Sequence, residues 1–216
     1  MASKPPGSAA DFLPPKRTLD TLREAARSCR GCELYKNATQ TVFGEGPEKA
    51  AVVFVGEQPG DQEDRQGHPF VGPAGRLLDK ALAEARIPRE QVYVTNAVKH
   101  FKWIWRGKKR LHQKPAIRQV IACKPWLDAE LEVVQPKIVV CMGATAVLSV
   151  LGKEARVTRE RGKFLETESG RTAFVTIHPS AIYRHPSREE QQKEYRRFVS
   201  EMKLVQRKLV SLLKAA

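Results

Sequence analysis

The residues of this chain with chemical potential fall into three polar stretches, each lying at or just past the end of an apolar run. The run 51–55 ends at Gly56, and an acid-rich loop follows with Glu57, Gln58, Gly60, Asp61 and, further on, Phe70. The run 91–98 carries Asn96 near its end and leads into Lys99 and His100. The run 173–177 leads into His178, Ser180 and Arg184. Gathered in one pocket, a carboxylate, an amide, an imidazole and an aromatic ring can recognise a nucleobase and stabilise a cationic sugar. Singly they have plainer readings: the acids could form a solvated turn, and Asn96 and His178 could cap strand ends.

Two further constellations stand apart. Cys29-Arg-Gly-Cys32 has the spacing of a metal-ligand pair, but a C-x-x-C needs two more ligands to hold a metal. Cys123 falls in a helical pattern, and Cys141 lies inside an apolar run where a cysteine is more often a small buried hydrophobe. Between positions 91 and 127 there is no Asp or Glu, while nine Lys and Arg are interleaved with Phe101, Trp103 and Trp105. A stretch with Lys108, Lys109 and Arg110 and no acid is the electrostatic footprint of phosphate contact, although charge runs also serve as solvated faces.

The elements that must position these residues follow from periodicity. Strands are predicted over 51–55, 91–98, 137–142 and 173–177, and helices from Thr18, from Pro73, over 117–134 and over 144–151. A short hairpin is expected over 157–172. Ser187 with Glu190 three residues on reads as a capping box opening a last helix. Its apolar stripe is Tyr195, Phe198, Met202, Val205, Leu209 and Leu212. The alternation of strands with helices predicts a three-layer α/β/α domain with a short, mainly parallel central sheet. In such sheets ligands sit beyond the carboxyl ends of the strands, where three of the four predicted strands deliver their polar loops.

Composition bounds the partners. The balance of 38 Lys and Arg against 24 Asp and Glu gives +14 and a pI near 9.9, which points to a polyanion, nucleic acid first. No apolar run reaches the roughly 18 residues of a membrane span, and the first residues lack a signal-peptide core, so a cytoplasmic protein is expected. Residues 1–16, rich in Pro, Ser, Gly and Ala, are expected to form a mobile tail ahead of one domain over 17–216.

The ordered set GEQPGDQED, PFVGPAGRLLD, TNAVKHFK, ACKPWL, GATA and HPSAIYR, with the C-x-x-C, resembles the iron-sulfur branch (family 4) of the uracil-DNA glycosylases, and within it the UdgX type. The resemblance spans about Leu19 to Val210. It implies excision of uracil from DNA by a monomer, the base being single-stranded or flipped out of the stack. It further implies that Phe70 stacks on uracil, Asn96 bonds its edge and His178 donates to the departing base. Glu57, with Gln58, Gly60 and Asp61, would line the sugar side, while Ser180 and Arg184 press on the DNA. A 4Fe-4S cluster is implied on Cys29, Cys32, His100 and Cys123, His100 standing where relatives carry cysteine. The alternatives are a set with Cys141 in place of His100, or a zinc site. The basic stretch ending KRLH resembles the loop marking the UdgX type, whose histidine, here His112, would capture the sugar covalently after uracil leaves. A conventional multiple-turnover glycosylase and a non-catalytic damage-binding module are the alternatives, with His112 then a phosphate contact.

Overall fold

A computed structural model describes residues 7–214. In chain order the elements are α1 (Leu19–Ala26), β1 (Val52–Gly56), α2 (Asp61–Gln66), α3 (Pro73–Glu84), β2 (Val92–Asn96), β3 (Trp103–Arg106) and β4 (Lys109–His112). They continue with α4 (Ile117–Val134), β5 (Ile138–Met142), α5 (Ala144–Leu151), α6 (Val157–Glu160), β6 (Phe164–Glu166), β7 (Thr172–Thr176) and α7 (Arg188–Lys214). The central sheet has the order β2-β1-β5-β7-β6, parallel throughout except for β6, which pairs antiparallel with β7. The expected three-layer α/β arrangement is therefore observed, with one strand more than the sequence suggested.

The layers follow from the two-residue period of a strand. Val52, Phe54, Val92, Val94, Ile138, Val140 and Phe174 point to one face and pack with Leu78 of α3 and Phe198, Met202 and Val205 of α7. Val53, Val55, Tyr93, Val139, Cys141 and Val175 point to the other, against Leu127 and Leu131 of α4 and Val147 of α5. The stripe expected on α7 lies wholly in the first of these clusters, and the Glu190 amide donates to Ser187 Oγ at 3.1 Å as the capping box requires. Cys141, enclosed in the second cluster, is a buried hydrophobe, its thiol pKa raised by burial.

Three expectations are corrected. Residues 8–13 are folded, not tail: Ser8 caps a 3-10 turn over Ala9–Phe12, Ala9 is buried, and Phe12 and Leu13 pack on the α1–α4 cluster, while residues 1–6 lie outside the described ones. Residues 157–160 form a helix, so the hairpin is the shorter β6–β7 pair, closed by the Thr167 amide on the Arg171 carbonyl. Finally, the basic stretch is itself an antiparallel hairpin, β3 paired with β4 in the register Trp103 to His112 and Arg106 to Lys109, with Gly107 at positive φ in its turn.

Candidate active site

Parallel strands share a direction, so β1, β2 and β7 all deliver their following loops to one edge. There a cavity of about 990 Å³ opens, lined by Glu57, Gln58, Gly60, Asp61, Phe70, Asn96, His112, His178, Ser180 and Arg184 among others. Every pocket residue expected from the sequence thus faces one space, although several do different work from that expected.

Gly56, just before the lining residue Glu57, is registered beside Asn96 in the sheet. A Cβ there would run into Asn96 Oδ1 and come within 2.7 Å of Phe70 Cζ and 3.4 Å of His178 Nε2. Three side chains expected to contact a base therefore converge over Gly56, where a Cβ would displace them. Asn96 is 3 % exposed and lines the cavity. An amide facing a cavity can offer a ligand both a donor and an acceptor. Phe70 sits at φ 59°, an unfavourable conformation for a bulky residue of the kind stored at ligand-binding sites. It lies 6.2 Å from the His178 ring at an interplanar angle of 27°.

His178 follows β7 and caps the 3-10 turn Pro179–Arg184. The Ser180 amide donates to its Nδ1 at 3.2 Å, which leaves the proton on Nε2, the nitrogen facing Gly56. Burial, then the Arg184 and His112 charges, lower its pKa to about 4, so the ring is neutral at physiological pH. Ser180 thus positions the imidazole, and Arg184 in turn donates to Ser180 Oγ at 3.2 Å.

Glu57 is held from two sides. Thr145 Oγ1, in the first turn of α5, donates to its Oε2 at 2.6 Å, and His112 Nε2 lies 3.3 Å from its Oε1. His112 ends β4, and Gln58 brings it there: its amide nitrogen donates to the carbonyls of Lys102 and Gln113, and its oxygen accepts from the Lys102 amide. Both bases of the hairpin are gripped by one side chain. Gln58 thus lines the cavity as expected, with its amide also bonded to the backbone of the hairpin bases.

Asp61 and Arg110 are reassigned. The Arg110 side chain is 7 % exposed, engages Asp61, and reaches Asp64 at 2.6 Å. Its guanidinium lies over Phe101 and Trp103 at 5.4 and 5.3 Å. It anchors the hairpin to α2 instead of meeting phosphate. Burial works to raise the Asp61 pKa, but hydrogen bonds from Arg65 and Arg110 prevail and lower it. Lys108 and Lys109 remain exposed at the hairpin tip. Sequence reasoning also passed over Glu63, which accepts from the Gly60 and Gly72 amides at 3.1 and 2.7 Å and so closes the loop bearing Phe70. The only signal was its place among the loop acids.

A separate buried patch gathers Cys29, Cys32 and Cys123 in one cluster. Trp126 Nε1 donates to Cys29 Sγ at 3.2 Å and the Lys99 amide to Cys123 Sγ at 3.3 Å, as donors to a thiolate would. Burial pushes the Cys123 thiol up to about 12 against the opposing Lys99 charge. Gly31 lets the chain close over this patch, because a Cβ there would meet the Ala9 amide nitrogen at 2.6 Å. His100 follows Lys99 in sequence, and Thr41 bonds both its Nε2, at 3.0 Å, and the Ala26 carbonyl, at 2.8 Å. The Cys29 amide donates to that same carbonyl. His100 is neutral, with burial lowering its pKa to about 4. Among the described residues no three such side chains surround a single-ion position.

An α/β protein with a cavity beyond the carboxyl ends of a mainly parallel sheet is the class that fold and site define. Residues 43–203 match the family described as the uracil DNA glycosylase superfamily. Similar proteins include the type-4 uracil-DNA glycosylase of Thermotoga maritima, 37 % identical over 79 % of this chain and 86 % of the relative. That of Archaeoglobus fulgidus is 36 % identical over 83 % and 91 %. The chain belongs to the uracil DNA glycosylase superfamily.

Proposed function

We propose that this protein excises uracil from DNA and captures the resulting sugar on His112. The observation that carries the second half is the imidazole of His112 inside the pocket, 3.3 Å from the carboxylate placed for the sugar. Phe70 stacks on the base, and the Asn96 amide pairs with a uracil edge that offers one donor and adjacent acceptors. As the glycosidic bond breaks, its electron pair leaves with uracil, and the neutral His178 Nε2–H donates to the oxygen that gains charge. Glu57, as the carboxylate, stabilises the cationic sugar. The lone pair of neutral His112 then forms the new bond to the anomeric carbon, and the alkylated ring sheds its remaining N–H proton to solvent. Lys108 and Lys109 contact phosphate. A denaturing gel of protein incubated with a uracil-containing oligonucleotide is the test. An adduct stable to heat and detergent supports this reading, abasic DNA alone supports a conventional turnover enzyme, and unaltered DNA supports a binding module.

Asn96→Asp should weaken uracil processing by about 1–3 kcal/mol, roughly 5- to 150-fold in rate at limiting substrate, because an ionised carboxylate offers no donor. Single-turnover kinetics on uracil-DNA check this, and undiminished rates would remove Asn96 from base recognition.

We also propose that Cys29, Cys32, His100 and Cys123 hold a 4Fe-4S cluster. The supporting features are the buried thiols, the N–H donors to two of the sulfurs and the neutral imidazole tied to the same segment. Such a cluster would tie together three chain segments, around Cys29 and Cys32, His100 and Cys123, that already share a buried hydrophobic cluster. Anaerobically purified protein should contain about four irons per chain. Cys123→Ser should lose them and Cys141→Ser should keep them; iron loss in the Cys141 variant, or zinc in place of iron, would overturn the assignment.

A further inference from the structure

The β3–β4 hairpin has features that the pocket chemistry does not use. Trp105 is 63 % exposed, the most exposed of the large apolar side chains among the described residues. Trp103 packs against it with ring centroids 4.9 Å apart at 82°, and Trp103 is itself fixed by its Nε1–H donating to the Asn37 carbonyl at 3.0 Å. Trp105 pairs with Arg110, two residues before His112 on the facing strand, which places it about 7 Å along the ribbon from the pocket residue. Around it, Arg106, Lys108 and Lys109 are exposed and have no ion-pair partner among the described residues.

We infer that this hairpin is a platform for unpaired DNA flanking the reacting nucleotide, with Trp105 stacking on a neighbouring base. The inference rests on the reading of the pocket as a nucleotide site. Charge complementarity selects a phosphate chain, because the stretch 91–127 carries no acid to repel it. A pre-set ring selects an unpaired strand, since a base offers a free face only when it is unstacked, and a duplex withholds that face. Holding the ring in place beforehand lowers the ordering cost of the contact.

The test uses a uracil-free probe, fluorescently labelled oligothymidylate, with binding followed by anisotropy. Trp105→Ala should weaken binding of the single strand roughly 5- to 150-fold, the range of one base–aromatic stack. Trp105→Phe should retain most of the affinity, and a blunt duplex probe should bind both variants within about twofold of the parent protein. Equal losses on single strand and duplex, or an unchanged single-strand affinity, would overturn the inference. Because these probes contain no uracil, the result is independent of excision. A protein that shows the Trp105 dependence yet leaves uracil-DNA intact would sink the glycosylase reading alone.

Discussion

His112→Gly is expected to abolish the covalent adduct while uracil release continues and becomes catalytic in turnover. Bond cleavage depends on Glu57, Asn96 and His178, all of which remain, the substitution removing only the His112 contact to Glu57 Oε1. Glu57 keeps its Thr145 hydrogen bond, and His178 keeps its bond from the Ser180 amide. Water then occupies the vacated volume beside Glu57 and captures the sugar in place of imidazole, releasing an abasic site. Mass spectrometry of the parent reaction should show protein plus DNA minus uracil, with the modification on the peptide containing Leu111-His112-Gln113. A persisting adduct in the glycine variant would assign the nucleophile elsewhere, and loss of both adduct and excision would make His112 part of cleavage itself. The parent reaction should also have a characteristic pH dependence. Burial lowers the His112 pKa below the usual 6.5, with Glu57 opposing and Arg184 reinforcing the shift. The nucleophile is the unprotonated ring, so capture should decline on acidification only at pH values below 6.5.

Lys99→Met is expected to destabilise the fold by about 3–5 kcal/mol, read as a lower urea midpoint with an unchanged slope. Lys99 and Glu130 are both fully buried and 2.5 Å apart. Lys99 Nζ also donates to Thr95 Oγ1 and the Asn96 carbonyl at 2.6 and 2.8 Å, and Glu130 accepts from Tyr93 and the Gly44 amide at 2.9 and 3.0 Å. Removing the ammonium strands a buried carboxylate, which is costlier than removing both charges. The double variant Lys99→Met with Glu130→Leu should therefore recover much of the loss. Its uracil excision should remain below that of the parent, because the Asn96 carbonyl has lost its anchor behind the base pocket. If the double variant were no more stable than the single one, the stranded charge would not be the cause.

Local pattern in the sequence was enough to locate four of the five central strands and the edge at which chemistry is placed. Apolar runs at β1, β2, β5 and β7, the Ser187 cap and the α7 stripe are short-range signals, and parallel strands necessarily send Glu57, Asn96 and His178 to one side. What the sequence could not decide is the use to which each polar side chain is put, because that depends on partners far along the chain. Arg110 reads as one more cation in a basic run, and only its meeting with Asp61 and Asp64, nearly fifty residues away, turns it from phosphate contact into anchor. Gln58 reads as a pocket amide, and only the fold adds its bonds to the hairpin bases at Lys102 and Gln113. The N-terminal segment reads as tail by composition, yet Gly31 leaves a space that the backbone at Ala9 fills. Hydrogen-bond and charge pairing between distant segments has no periodicity to read; it is set when the layers pack, and here that packing brings His112 to Glu57.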